Sequence, residues 1–277
     1  MEIVMCSPEY FDVTYELSTN RWMNRNVRPD RVLARRQWEK LFKSYERLGV
    51  DVDVVPGQPG LSDMVFTANA GIPVNNYFIF SRFFHKERRP EIPFIRDFLG
   101  WVFDKKYLPN DVTFEGQGDA LFINDKTLMV GCGIRTSKNT PEKLQEIISQ
   151  IRPDVNVVPL FFRPLEEYPL GERVFYHLDT CFLYLKKAET FFVHQPSFTA
   201  ETLKNLRKFG DIIGVTREEA DSFICNSVEV GDVLLTPNFM SCYLTGLFKN
   251  FGYEVIQHDM SEFMKSGGAV KCLSLEI

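Results

Sequence analysis

The chain has 277 residues, 44% of them hydrophobic and 25% charged, with a net charge of −5 and 25 phenylalanines, so it can bury one large core or two small ones. Nucleic acid is excluded as a partner because a phosphate backbone demands clustered positive charge, and a membrane is excluded because no apolar run approaches the ~20 residues of a span. A small cationic molecule suits the charge better.

In chain order, Glu2 to Met5 reads as a strand rather than a signal peptide, which places the chain in the cytoplasm. Arg31 to Leu48 carries Trp38, Leu41, Phe42, Tyr45 and Leu48 at helical spacing, and Val50 to Val55 alternates as a strand. Asp119 to Ile123 and Thr127 to Gly131 form a hairpin about Asn124-Asp125. A helix follows, with Thr140 as N-cap, Pro141 at its first position and Leu144, Ile147, Ile148 and Ile151 in one stripe, and then a strand from Val155 to Pro159. The pattern recurs with Cys181 to Leu185, Phe191 to His194, a helix over Thr199 to Phe209 and Ile212 to Val215. It recurs again with Val233 to Thr236, a helix near Tyr243 to Phe251 and Tyr253 to Ile256.

Asp63, Asp119, Asp179, Asn226 and Cys272 each open or adjoin a short strand at intervals of about 50 residues, the mark of a reused supersecondary unit. Five strand-hairpin-helix units, the first of them split, predict an α/β five-bladed propeller around a pseudo-fivefold axis, with polar residues at the unit starts converging on its centre. No linker divides the sequence, so residues 1–277 are expected to form a single catalytic domain. With only five residues after Cys272, no second enzyme domain is expected behind it.

The six cysteines show no Cys-x-x-Cys pair and no zinc spacing, so no metal and no cofactor is expected. Cys6, Cys132, Cys181, Cys225 and Cys242 read as small buried hydrophobes, whereas Cys272 follows Gly267-Gly268, which let a backbone approach closely and leave room for a ligand. His177 and Asp179, two residues apart, would point to one face of a strand. Glu115 and Asp119 sit on a glycine-rich turn. His85 and His258 read as surface or loop residues, and Arg88 lies in a charged stretch that suits a solvated face as well as a ligand site. An acidic cup around one thiol and one imidazole is costly to bury unless a cation fills it. A guanidinium pairs bidentately with carboxylates and leaves its central carbon open to attack by Cys272.

The segments Asp63-Met-Val-Phe-Thr-Ala-Asn69, Phe114-Glu115-Gly-Gln-Gly-Asp119, Gly131-Cys-Gly-Ile-Arg135-Thr, His177-Leu-Asp179 and Gly267-Gly-Ala-Val-Lys-Cys272 together resemble the guanidine-modifying, or amidinotransferase, superfamily of penteins. The stretch from Met5 to Asp12 and Thr67-Ala-Asn-Ala-Gly71 are most similar to its arginine dihydrolase branch. The resemblance implies Cys272 as nucleophile, His177 as acid/base and Glu115 as the carboxylate gripping the guanidinium. It further implies that Asp179 holds a guanidinium nitrogen or orients the imidazole, that Asp63 and Asp119 frame the pocket, and that Arg88 and Arg135 clasp the α-carboxylate. Asn20 falls in Asn20-Arg21-Trp22-Met23, similar to that branch's Asn-Pro-Trp-Met but with arginine for proline. Asn69 stands where arginine deiminases and dimethylarginine hydrolases carry aspartate, and a neutral amide suits a ureido group better than a second anion does.

The implied activity is hydrolysis of guanidino C–N bonds through a cysteine thiouronium, with arginine going to ornithine, ammonia and carbon dioxide. The alternatives are dimethylarginine dimethylaminohydrolase or arginine deiminase activity giving citrulline, amidino transfer to an amine, and, outside enzymes, a catalytically silent propeller that binds partners. A second copy of the chain, in a homo-oligomer, is allowed as a partner. Carboxylates should raise the Cys272 pKa, while a protonated His177 and the incoming cation should lower it, so ionisation is expected to be substrate-assisted.

Overall fold

The strands of the computed structural model, which describes every residue except Leu170, Phe239 and Met240, sort into five sheets of three. One rule builds each sheet: two antiparallel strands, a helix, and a third strand parallel to the second. A parallel partner requires a crossover, and the helix supplies it. The chain begins with β1 (Glu2–Cys6), α1 (Arg31–Arg47) and β2 (Asp51–Val55). The second sheet comprises β3 (Gly71–Val74), β4 (Tyr77–Phe80) and, after α2 (Glu91–Leu99), β5 (Asp104–Tyr107). The third has β6 (Ala120–Asn124), β7 (Thr127–Cys132), α3 (Thr140–Ser149) and β8 (Asn156–Phe161). The fourth has β9 (Phe182–Leu185), β10 (Thr190–Val193), α4 (Ala200–Leu206) and β11 (Asp211–Gly214). A short α5 (Arg217–Asp221) leads to the fifth, with β12 (Val228–Val230), β13 (Val233–Pro237), α6 (Cys242–Asn250) and β14 (Glu254–His258). After α7 (Ser261–Met264), β15 (Leu275–Glu276) pairs antiparallel with β1, Val4 opposite Leu275, and completes the first sheet. This is the split unit of the sequence pattern.

The helices form where the apolar spacing placed them. On α1, Asp30 caps the N-terminus by accepting from Val32 N and Leu33 N, while Trp38, Leu41 and Tyr45 are buried and Phe42 and Leu48 half-buried. On α3 the buried stripe is Leu144 and Ile148, but the N-cap is Asn139 and not Thr140. The Thr140 hydroxyl instead donates to the Thr113 carbonyl at 2.7 Å. The second sheet gave no readable pattern because Pro73 interrupts β3 and the hairpin turns at Asn75, which has φ 52°. Since β3 is an edge strand, the missing N–H costs no ladder bond.

The repeat marker of that sheet is Asn69 rather than Asp63. Asn69 lies in a 3-10 turn, Thr67–Ala70, that leads into β3 as Gly116–Gly118 leads towards β6 and Leu178–Thr180 towards β9. These turns pack on one another, and β15 packs on the first of them, so the heads of the sheets meet at one place. Over that place runs the connection from β1 to α1. Its own small cluster is Val13, Leu17 and Met23 with Tyr15 against it. Its two ends are tied by the buried Asp12, which accepts from Val13 N, Arg28 and Arg31. Of the five cysteines read as buried, Cys242 is exposed, at the first turn of α6. Among the described residues, no helix is long and apolar enough to cross a membrane.

Candidate active site

Cys272 occupies the turn before β15, and Asn226 builds that turn. The Asn226 side-chain oxygen accepts from Ala269 N and Cys272 N, both at 3.1 Å, and its carbonyl accepts from Lys271 N. Its Nδ2 donates to Cys272 Sγ at 3.0 Å. The glycines upstream are required as the sequence suggested: Gly267 has φ +79°, and a Cβ there would lie 2.4 Å from the Tyr176 hydroxyl. Sγ donates to Asp179 Oδ2 at 3.1 Å. Burial, with the Asp179 charge behind it, pushes the Cys272 thiol well above its ordinary value. Burial likewise raises Asp179 to about 7, against the lowering contacts of Cys272 and Lys271.

Across the cavity His177 is held by Glu115. Burial pushes the Glu115 carboxyl up, but Arg135 and His177 outweigh it and hold the group well below the usual carboxylate range. Being ionised, Glu115 only accepts, so His177 Nε2 is the protonated ring nitrogen that donates to Oε2 at 2.6 Å. The Nδ1 lone pair is left free as a base. Burial lowers His177 to about 4, despite the Glu115 hydrogen bond, and Arg135 adds to the fall. The imidazole is therefore neutral at pH 7, which corrects the expectation of a protonated His177 beside the thiol. Glu115 is corrected too. Its Oε2 also takes Arg135 Nη1 at 3.1 Å and its Oε1 takes Phe84 N at 3.1 Å, so it orients His177, and the guanidinium it holds is that of Arg135; it does not line the cavity.

Asn20, Asp63, Asn69, Arg88, Arg135, His177 and Cys272 line one cavity of about 10 Å³, together with Leu17, Phe66, Tyr176, Ser266, Gly267 and Gly268. Residues from distant parts of the chain thus meet at one cavity. Asp179 reaches this group through Sγ and makes no hydrogen bond to His177, contrary to the imidazole-orienting alternative. Asp119 does not line the cavity. Its oxygens take Thr136 Oγ1 at 2.7 Å and Leu178 N at 3.0 Å, so it pins the His177 turn to the preceding sheet. Asp63 accepts from Tyr15 and Ser266 hydroxyls, and Asn20 donates to Tyr176 Oη and the Ser266 carbonyl. Arg88 is buried rather than solvated. His85 lies in a loop, half-buried, where it meets Thr19 at 2.8 Å, and the same hydroxyl accepts from Arg135 Nε. Of the buried polar atoms without a partner among the described residues, three belong to this group: Asp179 Oδ1, Asn69 Nδ2 and Arg135 Nη2. One acceptor and two donors thus await a ligand.

A model of the eukaryotic N,N dimethylarginine dimethylhydrolase family matches residues 7–277. The chain belongs to that family. Within the wider guanidine-modifying superfamily it is similar to hydrolases of guanidino C–N bonds that carry two names. It is 34% identical to the bifunctional arginine dihydrolase/ornithine cyclodeaminase ArgZ of Synechocystis over 286 residues, spanning 100% of this chain and 38% of ArgZ. It is 32% identical to the N(G),N(G)-dimethylarginine dimethylaminohydrolase of Mycobacterium tuberculosis over 276 residues, covering 99% and 84% of the two chains. The crystal structure of the N-terminal domain of ArgZ covalently bound to a reaction intermediate superposes with a TM-score of 0.89 at 33% identity, covering 99% of this chain and 96% of that one.

In this dimethylarginine dimethylhydrolase family member the cavity of about 10 Å³ is far below the ~300 Å³ at which ligand pockets begin, and Leu17 and Asn20 of the connection from β1 to α1 line it, so that connection is the segment expected to open for a substrate. Asp12→Asn loosens the tie between the two ends of that connection. Iodoacetamide inactivation at fixed pH should then run about threefold or more faster than in the native enzyme, and an unchanged rate would show that Asp12 is no latch. Inactivation of the native enzyme should rise about tenfold per pH unit up to pH 9 without levelling, because the raised thiol is protonated throughout that range. Mass spectrometry of the Cys272 peptide separates this from labelling of the exposed Cys242, and a plateau near pH 7 would contradict the raised thiol.

Proposed function

We propose that the protein is an arginine dihydrolase, converting arginine and two waters to ornithine, two ammonia and carbon dioxide through a covalent thiouronium on Cys272. The five sheets are read as blades of one propeller around a pseudo-fivefold axis, and residues 1–277 as a single catalytic domain with the site at its centre. A reducing, cytoplasmic setting belongs to the same reading, because it keeps Cys272 a thiol.

The observation that carries the reading is Asn69, a neutral amide whose Nδ2 has no partner among the described residues. Among the unpartnered atoms, Asp179 Oδ1 suits a guanidinium nitrogen, Arg135 Nη2 an α-carboxylate, and Asn69 Nδ2 an acceptor such as a ureido oxygen. A docked cation favours the thiolate, and His177 Nδ1 takes the thiol proton. Sγ bonds to the guanidino carbon, the displaced C=N electrons settle on nitrogen, and that nitrogen leaves as ammonia with the proton from His177. Water then gives His177 a proton, bonds to the same carbon and displaces Sγ, leaving citrulline. A second hydrolysis of the ureido group gives ornithine, ammonia and carbon dioxide.

The family match favours a second reading, in which a methylated arginine gives citrulline and a methylamine. Incubation with guanidino-labelled arginine, and separately with dimethylarginine, followed by mass spectrometry, decides between them. Labelled carbon dioxide with ornithine supports dihydrolysis, accumulation of citrulline with ammonia replaces it with deimination, and methylamines replace it with the family's named reaction. Binding of arginine without turnover would leave a binding protein.

A further inference from the structure

Asn69 offers the cavity a donor and no acceptor, and the cause lies behind it. Arg88 is a charged side chain only 2% exposed, and a guanidinium has donors alone. Its Nε and Nη2 take Glu91 Oε1 and Oε2 in a two-point grip at 2.9 and 2.8 Å, Nη2 also reaches the Asp63 carbonyl at 3.1 Å, and the Phe83 ring lies 4.4 Å from its central carbon. The fork on Glu91 fixes the guanidinium plane, and with it the direction of Nη1. Nη1 donates to Asn69 Oδ1 at 2.7 Å.

An amide that faces a guanidinium must turn its oxygen to it, since the flipped form would set N–H against N–H between two buried side chains. Nδ2 is therefore forced to the other side, where it lies against Gly118. A methyl group on that glycine would be 2.2 Å from it. The same contacts leave Arg88 one Nη1 hydrogen for a ligand, beside the Nη2 of Arg135, which has no partner among the described residues.

We infer that the buried Arg88–Glu91 pair is a positioning device that fixes the donor sense of Asn69, and through it sets the share of substrate hydrolysed a second time. This rests on the dihydrolase reading. When the first hydrolysis replaces a guanidino nitrogen by oxygen, the ligand gains an acceptor, and a donor held at Asn69 binds that oxygen and keeps the ureido product in place. The pair thus acts on what is held after the first step, and only weakly on what is held before it.

The test uses Glu91→Gln, which breaks the two-point grip, and Glu91→Asp, whose shorter side chain draws that grip away from Asn69, as a second variant should the first fold poorly; both leave the Arg88 guanidinium in place. In the active enzyme the ornithine-to-citrulline ratio from arginine should fall about tenfold, the effect of one lost charge-anchored hydrogen bond. In a Cys272→Ser background, calorimetry should show citrulline binding weakened about tenfold and arginine binding by less than about threefold. Equal weakening of both ligands would overturn the inference and make Arg88 a clamp for their shared α-carboxylate, and no change in either would also overturn it. If the native enzyme makes no ornithine while citrulline binding still falls selectively in the variants, the dihydrolase reading fails and the positioning role stands.

Discussion

Cys272→Ser is expected to abolish turnover while leaving the fold intact. Serine keeps a donor for Asp179 Oδ2 and an acceptor for Asn226 Nδ2, so the hydrogen bonds that build the turn survive. A hydroxyl has nothing like the nucleophilicity of a thiol, and no neighbouring group compensates: His177 is lowered to about 4 and is a weak base for an alcohol. Product formation should fall by about four orders of magnitude or more. Thermal unfolding should shift by no more than about 2 °C, because a change well under 1 kcal/mol is expected. Residual turnover above about one per cent of native, in protein shown free of native contaminant, would remove Cys272 from the chemistry.

His177→Gln has the next largest effect, and its signature separates proton transfer from thiol activation. Glutamine can still donate to Glu115 Oε2, so the buried anion keeps a partner, but it has no basic lone pair to carry a proton to ammonia or from water. kcat should fall by about 10² to 10⁴. Because the imidazole is neutral at pH 7, it gives Cys272 no charge to lose. The rate of iodoacetamide inactivation should therefore change by less than about threefold. A large drop in alkylation rate would show that the resting enzyme holds a thiolate–imidazolium pair, against the pKa directions described for both groups. A kcat loss under about tenfold would take His177 out of the proton path.

The repeated unit was legible because its signals are local. Thr140-Pro141, the stripe on α3 and the Asn124-Asp125 turn each sit within a dozen residues, and four of the five sheets left such a trace. The second did not, because Pro73 breaks the alternation that marks a strand and the positive-φ turn falls on Asn75, where glycine would have been the clearer sign. The clustering of Cys272, His177 and Asn69 was legible only through motifs, and what those motifs leave out is the partner of each atom. Glu115 was read as a grip on substrate, yet its oxygens are spent on His177, Arg135 and Phe84 N. Asp119 belongs to the same glycine-rich turn and faces away from the cavity. Asn226 was visible as a marker of the repeat, but nothing in its neighbours announces that it holds both the backbone and the sulfur of Cys272. Such assignments depend on which lone pair points where, and that is set by tertiary packing between residues far apart in sequence.

The strand that carries the nucleophile into place is also the one that seals the first sheet, with Leu275 laid beside Val4. Pairing segments so far apart in sequence closes a long loop, which costs entropy. Ala269, Val270, Cys272 and Leu273 offset that cost by lying in one buried cluster with Ile3, Met5, Leu41, Tyr45 and Leu235. The sulfur is thus anchored by the same packing that holds the first sheet to α1, and a substitution that loosens this packing displaces the nucleophile without touching it.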